Sequence, residues 1–222
     1  MASVYYKSRI EAGKKIVDFF QLESIYGGDS TIVSLNTDSL LVAMQLAFAI
    51  KCPVHLYLSQ GIRLPGDIQI GAVNQDGQFS YGSDVSSGFS DYYYQEFHGY
   101  IDDAKRDNFS KLNRELGGRE VVRVDLLRHR TVYVVIDCLE DTTQLDSFLN
   151  YVKTLSLNKI VLCAPLAMSK DLEHFKQVCN AFFVDGQLDF FFGADHYFED
   201  NTVISRDNAI QIVSTALATW PA

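Results

Sequence analysis

Between Thr31 and Leu58 the chain alternates in a way that few folds accept. Thr31 to Leu35 is a short β-branched run that fits a strand. Asn36-Thr37-Asp38-Ser39 is a polar turn made of helix-capping residues. Leu40 to Lys51 is an apolar helix, and Pro53 to Leu58 (PVHLYL) is a second strand. Two strands joined through a helix run parallel, and a parallel sheet is covered by helices on its faces. The pattern returns later in the chain. Thr131–Ile136, Lys159–Ala164 and Ala181–Val184 read as strands, and Thr142–Leu155 and Ser169–Cys179 as helices. A further helix is expected at Arg9–Leu22, and another from near Arg206. The fold class is therefore α/β, a parallel sheet flanked by helices.

The middle of the chain breaks this rhythm. Ile68–Val73 and Gln78–Tyr81 flank Gln75-Asp76-Gly77, and a D-G pair between two strand-like runs signals a hairpin. Ser83–Ser90 reads as a loop, and Gln95–Leu116 as an amphipathic helix closed by Gly117-Gly118. No linker, repeat or low-complexity block appears, so residues 1–222 are expected to form one domain with a hairpin-and-helix insertion at about 66–118.

Charge and cysteine usage exclude several function classes. A net charge of −9 argues against nucleic acid and anionic membranes as partners, since both require a basic surface. The apolar stretch Leu40–Ile50 is broken by Gln45 and is too short to span a bilayer; it reads as a buried helix. The N-terminus lacks the apolar core of a signal peptide. Four scattered cysteines without a C-x-x-C pair suggest a reduced, cytoplasmic protein, and the five histidines show no metal-ligand spacing.

Several segments resemble a family of predicted bacterial phosphoribosyltransferases. Tyr6-Lys7-Ser8-Arg9-Ile10-Glu11-Ala12-Gly13 is similar to that family's opening F-x-D-R-x-E-A-G. Ile70-Gly71-Ala72-Val73 with Asp76-Gly77 resembles its P-E-x-A-I-G-A-V-x-x-D-G hairpin, which places the family's acid at Asp67. Leu162-Cys163-Ala164-Pro165-Leu166-Ala167 is similar to its late V-A-x-P-V-A strand, and Phe192-Gly193 with Tyr197-Phe198 weakly echoes its aromatic C-terminal segment. The resemblance implies the type I phosphoribosyltransferase fold, with a small hood, and a donor, 5-phosphoribosyl diphosphate, bound with magnesium. It also implies a ribose-phosphate loop reading D-D-G-x-A-T-G-A-T after a strand. There two acids hold the ribose hydroxyls, and glycines let backbone N–H groups close on the phosphate.

The corresponding stretch here is Asp137-Cys138-Leu139-Glu140-Asp141-Thr142-Thr143. Asp137 matches the first acid and Thr142 keeps a hydroxyl. Cys138 replaces the second acid, Leu139 and Thr143 stand where glycines belong, and Asp141 puts a carboxylate where an anion would bind. Two like charges ~4 Å apart repel by roughly 1 kcal/mol in water, and by more when partly buried. The family's diphosphate turn L-P-R-G-G-V-P-V-A aligns with Leu35 to Ala43. Its arginine is replaced by Thr37, beside Asn36, and its glycines by Asp38 and Ser39. Ser59-Gln60 stands where the family carries Arg-Lys. Each change removes positive potential or room.

These departures lead to the expectation of a phosphoribosyltransferase-like protein without transferase activity. Such a protein would act as a binding, regulatory or assembly subunit, as a homo-oligomer or beside an intact paralogous phosphoribosyltransferase. No cofactor is expected. The alternative is a divergent, active enzyme using Asp137, Thr142 and Mg2+ for the ribose phosphate, with Asp67 near the diphosphate. A third possibility is a different enzyme with an acidic pocket for a cationic or neutral ligand. Asp141 is expected to cap the helix after it, with Gln144 completing a capping box. Asp137 reads as a solvated strand-end acid, Arg9 as half of a structural salt bridge, and Cys138 as a packed thiol. Tyr92-Tyr93-Tyr94 and Phe190-Phe191-Phe192 read as extended aromatic runs, one of them an oligomer contact.

Overall fold

The structure, a computed structural model, describes residues 5–25, 27–83, 85 and 87–221. In chain order the elements begin with β1 (Tyr6–Ser8), α1 (Arg9–Phe20), β2 (Ser30–Ser34), α2 (Leu40–Ile50) and β3 (Val54–Leu56). The middle holds β4 (Ser59–Leu64), β5 (Ile68–Asn74), β6 (Phe79–Tyr81) and α3 (Ser87–Leu116). Next come β7 (Thr131–Val135), β8 (Cys138–Leu139), α4 (Thr143–Val152) and β9 (Lys159–Met168). The chain closes with α5 (Leu172–Val178), β10 (Ala181–Leu188), β11 (Phe198–Asp200) and α6 (Arg206–Thr219). Among the described residues no helix is long and apolar enough to cross a membrane, and all four cysteines are free thiols.

Two compact units divide the chain. One comprises Met1–Leu56, Arg119–Asp141 and Leu155–Ala222; the other comprises Tyr57–Gly118 and Thr142–Thr154. The insertion expected at about 66–118 falls within the second unit, which starts earlier and also takes in α4.

In the first unit a parallel sheet runs in the order β10-β9-β7-β2-β3, with β8 also paired to β9. Helices α1 and α2 cover one face. Their Ile16, Val17, Val42, Leu46 and Ile50 join Ile32, Val135 and Cys163 of the strands in one buried cluster. On the opposite face Phe175 of α5 meets Phe182 of β10, ring to ring, at 6.3 Å. This is the α/β architecture that the resemblance implies. Strand order reverses between β2 and β7. In open parallel sheets the crevice at the carboxyl ends of such a strand pair is where ligands bind.

The second unit is an antiparallel sheet, β4-β5-β6, rather than a lone hairpin. Ser59-Gln60, polar and without turn residues, opens its unexpected first strand. Ile62, Leu64, Ile70, Val73 and Ile101 form its core, with Tyr93, Phe97 and Phe109 of α3 packed against them. Helix α4 is tied to the sheet by Asn150 Nδ2, which donates to Ser80 Oγ at 2.9 Å. Tyr57 and Ser147 share a hydroxyl bond of 2.8 Å.

Three expectations are corrected here. Of the loop expected at 83–90, residues 84 and 86 lie outside the described residues, and from Ser87 onward the chain is helical, with a break at Phe97. Tyr92-Tyr93-Tyr94 therefore lies on a helix, not on an extended segment. At about 100° per residue only Tyr93 turns inward, while Tyr92 and Tyr94 are exposed. The glutamine's half of the capping box expected at α4 is not made. The N-cap of α4 is Thr142, with no side-chain cap bond, and Gln144 Oε1 is buried without a hydrogen-bond partner among the described residues.

Candidate functional site

At the carboxyl end of β2 the chain turns through Leu35–Ser39 before entering α2. Asn36 Oδ1 accepts the N–H of Ser39 at 2.8 Å and also faces the Ser39 hydroxyl. Ser34 Oγ in turn donates to the Asn36 carbonyl at 2.8 Å. A side-chain oxygen accepting an N–H three residues on is what a cap does. The cap of α2 is therefore Asn36 acting on Ser39, and Ser39 itself makes no side-chain cap bond. Thr37 is buried and its hydroxyl donates to Asp38 Oδ1 at 3.3 Å; Asp38 is exposed.

Next to this turn, at the end of β7, lies Asp137. It is 3% exposed, so the reading of a solvated strand-end acid is corrected. Arg9 Nε donates to its Oδ2 at 2.8 Å, and both side chains are almost fully buried. Its Oδ1 accepts the Cys138 N–H at 3.0 Å and faces the Ser39 hydroxyl at 3.1 Å. The Asp137 N–H donates back to Ser39 Oγ at 2.9 Å. Ser39 has one proton and two acceptors, Asn36 Oδ1 and Asp137 Oδ1, so its hydroxyl links the two strand ends.

Arg9 is the first residue of α1, whose N-cap Ser8 accepts from the Glu11 N–H at 3.3 Å. Its guanidinium lies over the Phe198 ring at 4.6 Å from the centroid. Nη2 reaches the exposed Asp195 carboxylate at 3.4 Å, while Nη1 is buried with no hydrogen-bond partner among the described residues. The structural salt bridge read for Arg9 thus has a partner, 128 positions away in sequence.

Beyond Asp137 the expected phosphate loop opens with a two-residue strand. Cys138 and Leu139 form β8, in register with Leu166 and Ala167 of β9. Leu139 is 1% exposed, so the residue replacing a glycine is a core side chain. Burial pushes the Cys138 thiol up to about 12, helped by the Asp137 and Glu140 carboxylates and opposed by Arg9. The thiolate needed for nucleophilic chemistry is therefore suppressed at neutral pH. Glu140 is exposed and Asp141 half-buried.

The remaining predicted residues belong to the second unit. Thr142 Oγ1 donates to Asp146 Oδ2 at 2.7 Å, and the Ser83 N–H donates to the same oxygen at 2.8 Å. Thr143, the first residue of α4, is buried. Asp67 is exposed, adopts a φ of 63° and pairs with Arg63 at 2.9 Å. Gly71 lies where a Cβ would meet the Ser80 carbonyl at 2.1 Å, so the close approach of β5 and β6 requires glycine. Asp76 and Gly77 form the hairpin turn, with Gly77 at φ 79°.

Within the first unit the structure thus brings together Asn36, Ser39, Asp137 and Cys138, and adds Arg9 and Asp195. Asp195 carried no sequence signal as a member of this group. Both oxygens of Asp137 accept hydrogen bonds from the chain's own groups, and among the described residues no three or more His, Cys, Asp or Glu side chains form a group that could hold a metal ion.

No family model matches the chain, and no curated protein matches it. Solved structures do. TT1426 from Thermus thermophilus is similar over 96% of this chain and 99% of its own, with a TM-score of 0.72 at 16% identity. More distant matches include a hypoxanthine phosphoribosyltransferase from Staphylococcus aureus. Its TM-score is 0.49 at 10% identity, over 84% of this chain and 76% of that one. A purine phosphoribosyltransferase from Pyrococcus horikoshii has a TM-score of 0.43 at 10% identity, over 81% of this chain and 85% of that one. The likeness to TT1426, at 16% identity, is one of fold alone: a parallel sheet flanked by helices.

Proposed function

We propose that this phosphoribosyltransferase-like protein does not transfer phosphoribosyl groups and works as a binding, regulatory or assembly subunit. The observation that carries this reading is the buried pairing of Asp137 with Arg9. In the resemblance, the acid at this position holds ribose hydroxyls. Here it is enclosed and compensated by a guanidinium of the same chain. Detaching it would leave a buried charge without its counter-ion, at a cost of about 3–5 kcal/mol.

The backbone supports the same reading. N–H groups at a strand-to-helix turn recognise phosphate when they are unclaimed. In the first unit those of Ser39, Asp137 and Cys138 each donate to a side-chain oxygen of Asn36, Ser39 or Asp137. Self-satisfaction by the chain's own oxygens takes the place of a ligand anion.

Titration calorimetry with 5-phosphoribosyl diphosphate and Mg2+ tests the proposal. The expected outcome is no heat of binding up to millimolar donor. A Kd below about 100 μM, worth roughly −5.5 kcal/mol, would replace this reading with that of a divergent, active transferase.

A further inference from the structure

One face of the first unit is built from helices that are almost free of charge. Helix α2 reads LLVAMQLAFAI, and α6 carries no charged residue after Asp207. A helix that is apolar on all sides belongs in an interior. Yet Phe48 of α2 is 68% exposed, and Ile212 of α6 is 43% exposed. Between the two helices runs a groove of about 350 Å³, lined in part by Met44, Ala47, Ile212, Ala216 and Trp220, with Phe48 at its rim. An apolar cavity of about 150 Å³ accepts a benzene molecule, so this groove has room for a phenyl ring. Knob and hole thus lie on the same face.

A two-fold interface requires such self-complementarity, because each copy presents the same patch to the other. Charge points the same way. The chain carries a net charge of −9, so two copies repel wherever their acids meet. The groove is lined by no acid, and Lys51 is its one charged lining residue. Depletion of charge is what marks the core of a protein interface, and here it also removes the repulsion that opposes self-association elsewhere.

We propose that a second copy of this chain docks on the α2–α6 face, related by a two-fold axis, with each Phe48 ring entering the groove of the other copy. This gives the assembly reading above a partner and a face, and it rests on that reading for its role only. The groove shares no residue with the Asp137 site, so the donor titration and the test of this interface fail independently.

Sedimentation velocity over a range of micromolar concentrations, on the 25.0 kDa chain, tests it. The wild type is expected to sediment at twice the chain mass. Trp220, the one tryptophan of the sequence, lines the groove, so its emission should shift to the blue as concentration rises. Phe48→Asp should weaken self-association by at least about tenfold, as expected for the anchor of an interface. Its circular dichroism should not change, because Phe48 is exposed in the single chain, and its urea midpoint should fall only by what the dimer contributes, converging with that of the wild type as both are diluted to monomer. Ile212→Asp provides a second, independent break. A monomer at every concentration would overturn the proposal, as would a dimer that neither variant weakens. So would a monomer that instead takes up 1-anilinonaphthalene-8-sulfonate saturably in the groove.

Discussion

The hairpin turn at Asn74–Gln78 and the strand end at Asp137 solve the same problem by different means. Each must satisfy backbone N–H groups where a strand stops. In the hairpin Asn74 Oδ1 accepts from the N–H groups of Asp76 and Gln78 at 3.0 and 2.9 Å, and Gly77 supplies the left-handed residue. Every participant lies within one short turn. At Asp137 the partners are Ser39 and Arg9, 98 and 128 positions away. The hairpin is therefore written locally, and its failure should be local. The strand end is held only by the completed fold, and its failure should cost the fold.

The largest expected effect tests that distinction directly. Arg9→Met leaves Asp137 buried without its counter-ion and should destabilise the protein by about 3–5 kcal/mol, read as a lowered urea midpoint. Adding Asp137→Asn removes the unpaired charge while keeping acceptor geometry for the Cys138 N–H. The double variant should recover much of the loss. If Arg9→Met alone shifts the midpoint by less than about 1 kcal/mol, in the range of exposed pairs, the strand end does not depend on this ion pair.

A second long-range polar contact predicts acid sensitivity. His55 is buried in β3, and its Nδ1 accepts the Arg123 N–H at 3.1 Å. The neutral ring therefore carries its proton on Nε2, which has no hydrogen-bond partner among the described residues. Its pKa is lowered from 6.5 to about 3, mainly by burial; nearby Asp125 opposes the shift, and Arg130 and Arg123 add to it. Between these values the unfolded chain binds a proton that the folded chain refuses. Stability is then present in full above pH 6.5 and falls on acidification by about 1.4 kcal/mol per pH unit, until the folded pKa is reached. His55→Asn should flatten the difference in unfolding free energy between about pH 6 and pH 4. An unchanged slope would locate the acid sensitivity elsewhere.

The same distinction explains what the sequence alone could reveal. The β2-α2-β3 unit was legible because periodicity and capping residues act over a few positions, and the hairpin because Asp76-Gly77 carries its own geometry. The buried state of Asp137 was not legible, since nothing near it in sequence names Arg9 as its partner. Residues 138–139 were read as loop because the resemblance supplied a loop there. Pairing with β9 at Leu166 and Ala167, an interaction absent from local pattern, makes them strand. The tyrosine run was misplaced for a related reason: aromatic residues favour strands in isolation, and here Tyr93 instead packs inward from a helix.

Local devices should be correspondingly cheap to remove. Asn74 is 1% exposed, so Asn74→Ala removes a buried side chain as well as the acceptor shared by the N–H groups of the exposed residues Asp76 and Gln78. A loss of about 1–2 kcal/mol is expected, with the folded spectrum retained. A loss as large as that of Arg9→Met would erase the difference between the two regions.

The smallest effect is expected at Asp67, between β4 and β5. Its carboxylate pairs with Arg63, but the pair is exposed, with side-chain accessibilities of 46% for Arg63 and 79% for Asp67, and such pairs contribute about 0.2–1 kcal/mol. Against this stands its φ of 63°, a conformation that costs a side-chain-bearing residue roughly 1–2 kcal/mol and glycine almost nothing. Asp67→Gly trades one for the other and should leave the urea midpoint unchanged or slightly raised. Asp67→Ala keeps the strain and loses the pair, so it should fall below Asp67→Gly by about 1 kcal/mol. Equal midpoints for the two variants would mean that the turn relaxes around residue 67, and that even the local devices of the second unit lean on tertiary context.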